Sequence, residues 1–247
     1  MAKVYIDAGH GGKDPGAIGC GKVHEADINL IVAKHLEAEL KRNGHTVKMC
    51  RTTDITKELD ERTTEANKWG ADIYFAIHCN AFDQASANGT ETFCYAKGGN
   101  GEKIAKAVQK ELLAVLKTSD RCKDCGGSKE ANFYVLRKTT MPAVLTELAF
   151  VTNQADCAKL TNADYQKKCA VAICKGICAY LGTTYKTEET NVTTNTKKDN
   201  TPSEWSKDAI NWAVKEGILQ GDTNGDYKLR ENVTTERMLV FLYRALK

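Results

Sequence analysis

Hydrophobic and polar positions alternate along most of the chain in two periods. Val4-Tyr5-Ile6 is a short apolar run that ends in Asp7-Ala8-Gly9-His10. Residues 25–43 place Ile28, Ile31, Val32, Leu36 and Leu40 on one helical face, and Gly44 closes that segment. Thr46–Cys50 reads as a second strand, and 56–69 as a second helix closed by Gly70. Ile73–His78 is almost wholly apolar, as expected of a strand covered on both faces. Thr90–Tyr95 is a fourth strand, 101–117 a helix, Ala143–Leu148 another buried strand and 163–181 a closing helix. This alternation predicts an α/β fold with a central, mostly parallel sheet flanked by helices.

The pattern stops at Thr183. Residues 183–202 are rich in Thr, Asn and charge and nearly empty of apolar side chains, the composition of a linker. They separate a large domain, 1–182, from a small all-α module, 203–247. In the module, Trp205, Ala209, Trp212 and Ala213 make one apolar stripe that Gly217 ends, and Met238, Leu239, Leu242 and Leu246 make another. Between them lies Gly221-Asp222-Thr223-Asn224-Gly225-Asp226. It has the start of a calcium loop, but Tyr227 stands where glycine is needed and Val233 where a bidentate glutamate is needed, so it is read as a turn.

Composition narrows the class. An apolar share of 42% suits a globular protein, and no apolar run has the length of a membrane span. The net charge of +3 is small and the basic residues are dispersed among acids, which argues against a nucleic-acid partner. The ten cysteines all precede the linker, several inside apolar element patterns. They are expected to be mostly free thiols packed as small hydrophobes. Cys122 and Cys125 form a lone CxxC without a second ligand pair and are expected on a surface loop. No basic region followed by an apolar stretch opens the chain, so no signal peptide is expected.

The candidate chemistry gathers at strand ends. His10 follows the first strand, His78 ends the third, Glu147 lies at the end of the late strand and Glu25 opens the first helix. In open α/β sheets, sites form beyond the carboxyl ends of strands. Two histidines and one carboxylate, with a position left for water, make a known catalytic zinc arrangement, and the second carboxylate is then better used as a base. Gly9, Gly11 and Gly12 would let the backbone turn tightly around His10. His24, beside Glu25, is an alternative ligand. His35 and His45 are read as solvated.

The stretch Ile6-Asp7-Ala8-Gly9-His10-Gly11-Gly12-Lys13-Asp14-Pro15-Gly16-Ala17 resembles the opening motif of the zinc-dependent N-acetylmuramoyl-L-alanine amidases of the type 3 family. Glu25-Ala26-Asp27-Ile28-Asn29-Leu30, Ala76-Ile77-His78-Cys79-Asn80-Ala81 and Pro142-Ala143-Val144-Leu145-Thr146-Glu147-Leu148-Ala149-Phe150 resemble three later ones, in order. The resemblance implies that His10, Glu25 and His78 hold one Zn2+ and that Glu147 is catalytic. It implies structural roles for Arg51 and Arg62, and as substrate the amide between N-acetylmuramic acid and L-alanine in peptidoglycan. Some relatives carry a helical insert over the metal. Here only a short loop runs from Asn80 to Gly89, so an open, constitutively active site is expected.

The module 203–247 resembles one S-layer-homology repeat, though Val233-Thr234-Thr235-Glu236-Arg237 departs from that family's usual run. It is expected to bind the bacterial cell wall or to form homo-oligomers. Its basic and acidic residues balance at seven each, so simple charge attraction to an anionic wall polymer is not expected. The whole resembles a phage endolysin, made in the cytoplasm and reaching the wall on release, although a trimmed form of a secreted autolysin would read the same. The rival readings are another zinc-dependent peptidoglycan peptidase or deacetylase, and a non-catalytic wall-binding protein. No stable membrane insertion is expected.

Overall fold

The computed structural model describes residues 1–187, 201–221, 225–227, 229 and 235–246. The chain divides into two compact units, Met1–Glu188 and Glu189–Lys247.

In the first unit six strands form one sheet: β1 (Lys3–Ala8), β2 (Thr46–Met49), β3 (Ile73–Asn80), β4 (Glu91–Cys94), β5 (Lys129–Glu130) and β6 (Ala143–Phe150). Their order across the sheet is β2-β1-β3-β6-β4-β5. The four strands β2, β1, β3 and β6 are parallel, and only β4 runs antiparallel to its neighbour β6. Parallel neighbours need crossovers. The helices α1 (Glu25–Arg42) and α2 (Leu59–Trp69) supply the first two. After β4 come α3 (Asn100–Leu116) and α4 (Tyr134–Lys138), and after β6 come α5 (Gln154–Leu160) and α6 (Ala163–Tyr180).

The period of two along β1 sorts its side chains onto two layers. Tyr5 donates to Glu65 of α2 (2.8 Å), and Asp7 meets Arg62 of the same helix (2.5 Å). The other layer is α1, α6 and α3, with α6 packed against both of the others and α1 also lying on β1, β2 and β3. Both faces are thus covered, and β1 and β3 are buried almost throughout.

The helix stops follow the expected chemistry. Gly70 caps α2 in the left-handed conformation (φ 66°). The start of α2 falls later than the apolar pattern suggests, at Leu59, because Glu58 and Glu61 form a capping box there. The ten cysteines are free thiols, eight of them buried. Two readings need correction. Cys122 is buried, with its sulfur 3.4 Å from the Thr92 amide, so the CxxC is only partly a surface feature. His45 is not solvated: it is buried, and its Nδ1 accepts from the Ala2 amide (3.4 Å).

Tyr185 lies within the stretch read as linker, yet its hydroxyl donates to Glu39 of α1 (2.6 Å). Residues 188–200 of that stretch lie outside the described residues. The second unit holds α7 (Lys207–Lys215), which is followed by Gly217 (φ 70°), and α8 (Thr235–Ala245). Ile218 and Leu219 are buried, while Leu239, Leu242 and Leu246 are exposed. Residues 222–224 of the expected turn, and Val233, lie outside the described residues. No helix among the described residues is long and apolar enough to cross a membrane.

Candidate metal centre

The loop after β1 carries His10 in the left-handed region (φ 61°), a conformation that needs support in a residue with a side chain. Two buried arginines supply it. Arg62 donates to the carbonyls of Ala8 (2.9 Å) and His10 (2.8 Å). Arg51 donates to the carbonyls of Ala8 (2.9 Å), Gly9 (2.9 Å) and Ala26 (2.8 Å), tying this loop to the start of α1. Both arginines therefore act on the backbone of the loop, which is the structural role expected of them. Gly9 is required for a different reason: a Cβ there would lie 2.2 Å from the His78 ring.

His78 reaches the same place from β3, and Glu25 from the first turn of α1. Glu25 Oε2 lies 3.2 Å from His10 Nε2, and Glu25 Oε1 lies 2.9 Å from His78 Nδ1. One donor atom from each residue falls within 4.8 Å of the others, and among the described residues this is the one His, Cys, Asp or Glu group of three that could hold a metal ion. His24 sits at the N-cap of α1, half exposed and 3.9 Å from Asp27, outside the cluster.

Two residues that orient the cluster escaped the sequence reading. Asp14 Oδ2 lies 2.7 Å from His10 Nδ1, which leaves Nε2 to face Glu25. Asn29 donates to Glu25 Oε1 (3.1 Å) and to the Gly9 carbonyl (3.3 Å). Only Asn29 had a signal in its spacing, one helical turn beyond Glu25, whereas Asp14 is brought to His10 by the tight turn that pairs Gly11 with Asp14.

The electrostatics follow from these contacts. Burial lowers the proton affinity of His10, but the Glu25 and Asp14 carboxylates outweigh it and carry the pKa to about 9. Burial alone would raise the Glu25 carboxyl, but hydrogen bonds to His10 and His78 hold it far below the ordinary range. Glu147 pairs in register with His78 on the adjacent parallel strand, so the two share a face of the sheet. Burial, then the charges of Glu25 and Glu91, push its carboxyl well above the ordinary value. Its Oε2 is buried without a hydrogen-bond partner. His10, His78 and Glu147 line one cleft of about 530 Å³. The segment between β3 and β4 holds only turns, as its length suggested.

Fold and site together define an α/β catalytic domain of the hydrolase class, with a His–Glu–His cluster at one end of a parallel sheet. The family model described as N-acetylmuramoyl-L-alanine amidase matches residues 4–179. An uncharacterised protein of Bacillus subtilis, YqiI, is 44% identical over 179 residues, covering 72% of this chain and 84% of that one. The N-acetylmuramoyl-L-alanine amidase LytC of the same organism is 40% identical over 179 residues, covering 72% of this chain but 35% of LytC. Among solved structures, the catalytic domain of the amidase CwlV from Bacillus (Paenibacillus) polymyxa superposes with a TM-score of 0.69 at 35% identity, covering 74% of this chain and all of that one. The chain belongs to the N-acetylmuramoyl-L-alanine amidase family, as a peptidoglycan amidase. The family model of the S-layer homology domain matches residues 198–234.

Proposed function

We propose that the chain is a zinc-dependent amidase in which His10, Glu25 and His78 hold the ion and Glu147 transfers protons. The observation that carries this reading is the convergence of two imidazole nitrogens and a carboxylate oxygen within 4.8 Å, beside the orphaned Glu147 Oε2. The donors suit zinc: two nitrogens and one oxygen leave a coordination position open for catalysis. Asp14 on the far nitrogen of His10 is the carboxylate partner that metal-bound histidines commonly have. A bound zinc would acidify water and polarise the scissile carbonyl.

The rest of the chemistry belongs to the chain. Glu147 accepts a proton from the attacking water as the new C–O bond forms. It returns that proton to the alanine nitrogen as the C–N bond breaks, because an amine anion is a poor leaving group. Such acid–base help contributes on the order of a hundred- to ten-thousand-fold. Glu147→Ala is expected to retain zinc and lose turnover by that factor. Wild-type-like release of stem peptides would overturn the role. Mass spectrometry of digested walls separates this reading from a peptidase or deacetylase, since an amidase frees intact stem peptides from glycan.

The domain assignment we propose is catalysis in 1–182, a linker in 183–202 and the wall-directed module in 203–247. The exposed apolar side chains of α8 support self-association of that module, and solution mass tests it. The setting we favour is an endolysin-like one: synthesis in the cytoplasm, then action on the wall after release, with an open and constitutively active site. One phage relative, of Bacillus phage SPP1, carries the name endolysin and is 35% identical over 185 residues. Lysis that waits for membrane permeabilisation is the expected behaviour on expression in a susceptible host.

A further inference from the structure

We propose that the cleft between the starts of α2 and α4 is the glycan subsite, holding the uncharged muramyl sugar and its N-acetylglucosaminyl neighbour. This deepens the amidase reading and rests on it. The cleft begins at His10, His78 and Glu147 and continues between Leu59 on one wall and Phe133 and Tyr134 on the other. Its volume, about 530 Å³, is that of a ligand site. Leu59 is 51% exposed and Phe133 39% exposed, an apolar surface kept open beside a reaction centre.

The walls are preformed. Phe133 packs edge-on against Phe93, with ring centroids 5.2 Å apart. The Tyr134 hydroxyl donates to Asp60 of α2 (3.2 Å), joining one wall to the other. Asn67 of α2 donates to the Lys138 carbonyl (2.9 Å) and accepts from the Thr140 amide (2.9 Å), fixing the C-terminal end of α4 relative to α2.

Charge decides which half of the substrate fits. The stem peptide carries carboxylates, whereas the muramyl sugar loses its one acid when the lactyl carboxyl enters the amide. The lining has two cationic side chains besides the histidines, and both are engaged: Arg62 holds Asp7 (2.5 Å) and Lys57 holds Glu65 (3.2 Å). Neither is left for a stem carboxylate, and Glu58 on the same wall would repel one. A neutral pyranose presents an apolar C–H face to Phe133 and Leu59 and its hydroxyls to the polar rim. The scissile amide then falls at the cluster, and the stem peptide leaves on the side away from α4.

The test uses the full chain and an uncharged probe with no cleavable bond: the peptide-free disaccharide of N-acetylglucosamine and N-acetylmuramic acid with its lactyl carboxyl reduced to the alcohol, titrated calorimetrically. Phe133→Ala and Leu59→Ser are each expected to raise its Kd about tenfold, the scale of one lost apolar contact. Leu59 is exposed, so Leu59→Ser keeps the test valid should Phe133→Ala unfold. Unchanged disaccharide affinity in a folded variant of either residue overturns the proposal. So does a tenfold loss of affinity for the free stem peptide in its place. Hydrolysis of muramyl peptide by the unaltered chain is scored separately. An inactive chain whose disaccharide binding still depends on Phe133 sinks the amidase reading and supports the subsite. An active chain whose binding ignores both substitutions does the reverse.

Discussion

Glu25 and His78 are 53 positions apart in the chain, yet Oε1 of the carboxylate lies 2.9 Å from Nδ1 of the imidazole. Three donors fix that oxygen's surroundings: the His78 ring, the Cys79 amide at 3.0 Å and the Asn29 side chain at 3.1 Å. A carboxylate so held is preorganised to bind a cation without rearrangement. Glu25→Ala is therefore expected to abolish stoichiometric zinc binding, while His24→Ala, at the half-exposed N-cap, retains it. Metal content after gel filtration in chelator-free buffer decides between them. Zinc retained by Glu25→Ala but lost by His24→Ala would reverse the ligand assignment.

The state of His10 gives a prediction about protons. With a pKa of about 9 in the absence of metal, its ring carries a proton at pH 7. A ligating imidazole must be neutral, so binding zinc expels that proton. Apparent affinity should therefore rise with pH, by about tenfold per unit, until the pH passes about 9 and the ring is already neutral. Calorimetric titration at pH 7 in buffers of different ionisation enthalpy should show about one proton released through this residue. Zero release would mean that His10 is neutral before the metal arrives, or does not bind it.

How much of this was legible in the sequence depends on length scale. Long periodic segments announced themselves: α1, α3 and α6 follow apolar spacings that only burial against a sheet explains. The five-residue α4 and seven-residue α5 did not, since neither completes two turns and so neither displays a period. The Asn153 side chain, which accepts from the Ala155 and Asp156 amides, was the available signal for α5. Three of the four candidate site residues were visible because strand ends collect chemistry, and Glu25 because it opens the helix that follows β1. Their mutual geometry was not, because it is set by Arg51, Arg62 and Asn29 acting on backbone carbonyls and on Glu25. Phe133 was invisible as a site residue, since its significance depends on α2 standing opposite.

Asp7 and Arg62 make a buried pair at 2.5 Å beneath the cleft. Burial alone would raise the Asp7 carboxyl, but the Arg62 charge and the Tyr74 hydroxyl outweigh it and hold the pKa below the ordinary 3.8. The folded state thus binds its proton more weakly than the unfolded state does. The resulting stability is present above about pH 4 and is lost as pH falls through the folded value. Asp7→Ala leaves a buried, uncompensated guanidinium and is expected to cost about 3–5 kcal/mol. Urea titrations of Asp7→Asn and the wild type at pH 7 and pH 3 check the sign. The gap between the two proteins should narrow at pH 3, and a gap that widens would contradict it.

Tyr185 makes the place of truncation matter. Its hydroxyl donates to Glu39 (2.6 Å) and accepts from Arg42 (2.9 Å), and the Arg42 guanidinium lies 5.4 Å from the centre of its ring. A chain ended at Gly182 loses all three contacts, and one ended at Glu188 keeps them. Charge-assisted hydrogen bonds of this kind contribute about 1.5–3 kcal/mol, and a half-exposed cation–π contact about 0.5–1 kcal/mol. The shorter form is expected to unfold at lower urea by roughly 1–3 kcal/mol, once the mobility of a near-terminal segment is discounted. Both forms should hydrolyse soluble muropeptides, since neither truncation touches the cluster. Both should bind purified walls less tightly than the full chain, having lost the module matched over residues 198–234. Full wall binding by the Glu188 form would place the wall contact in the catalytic unit instead.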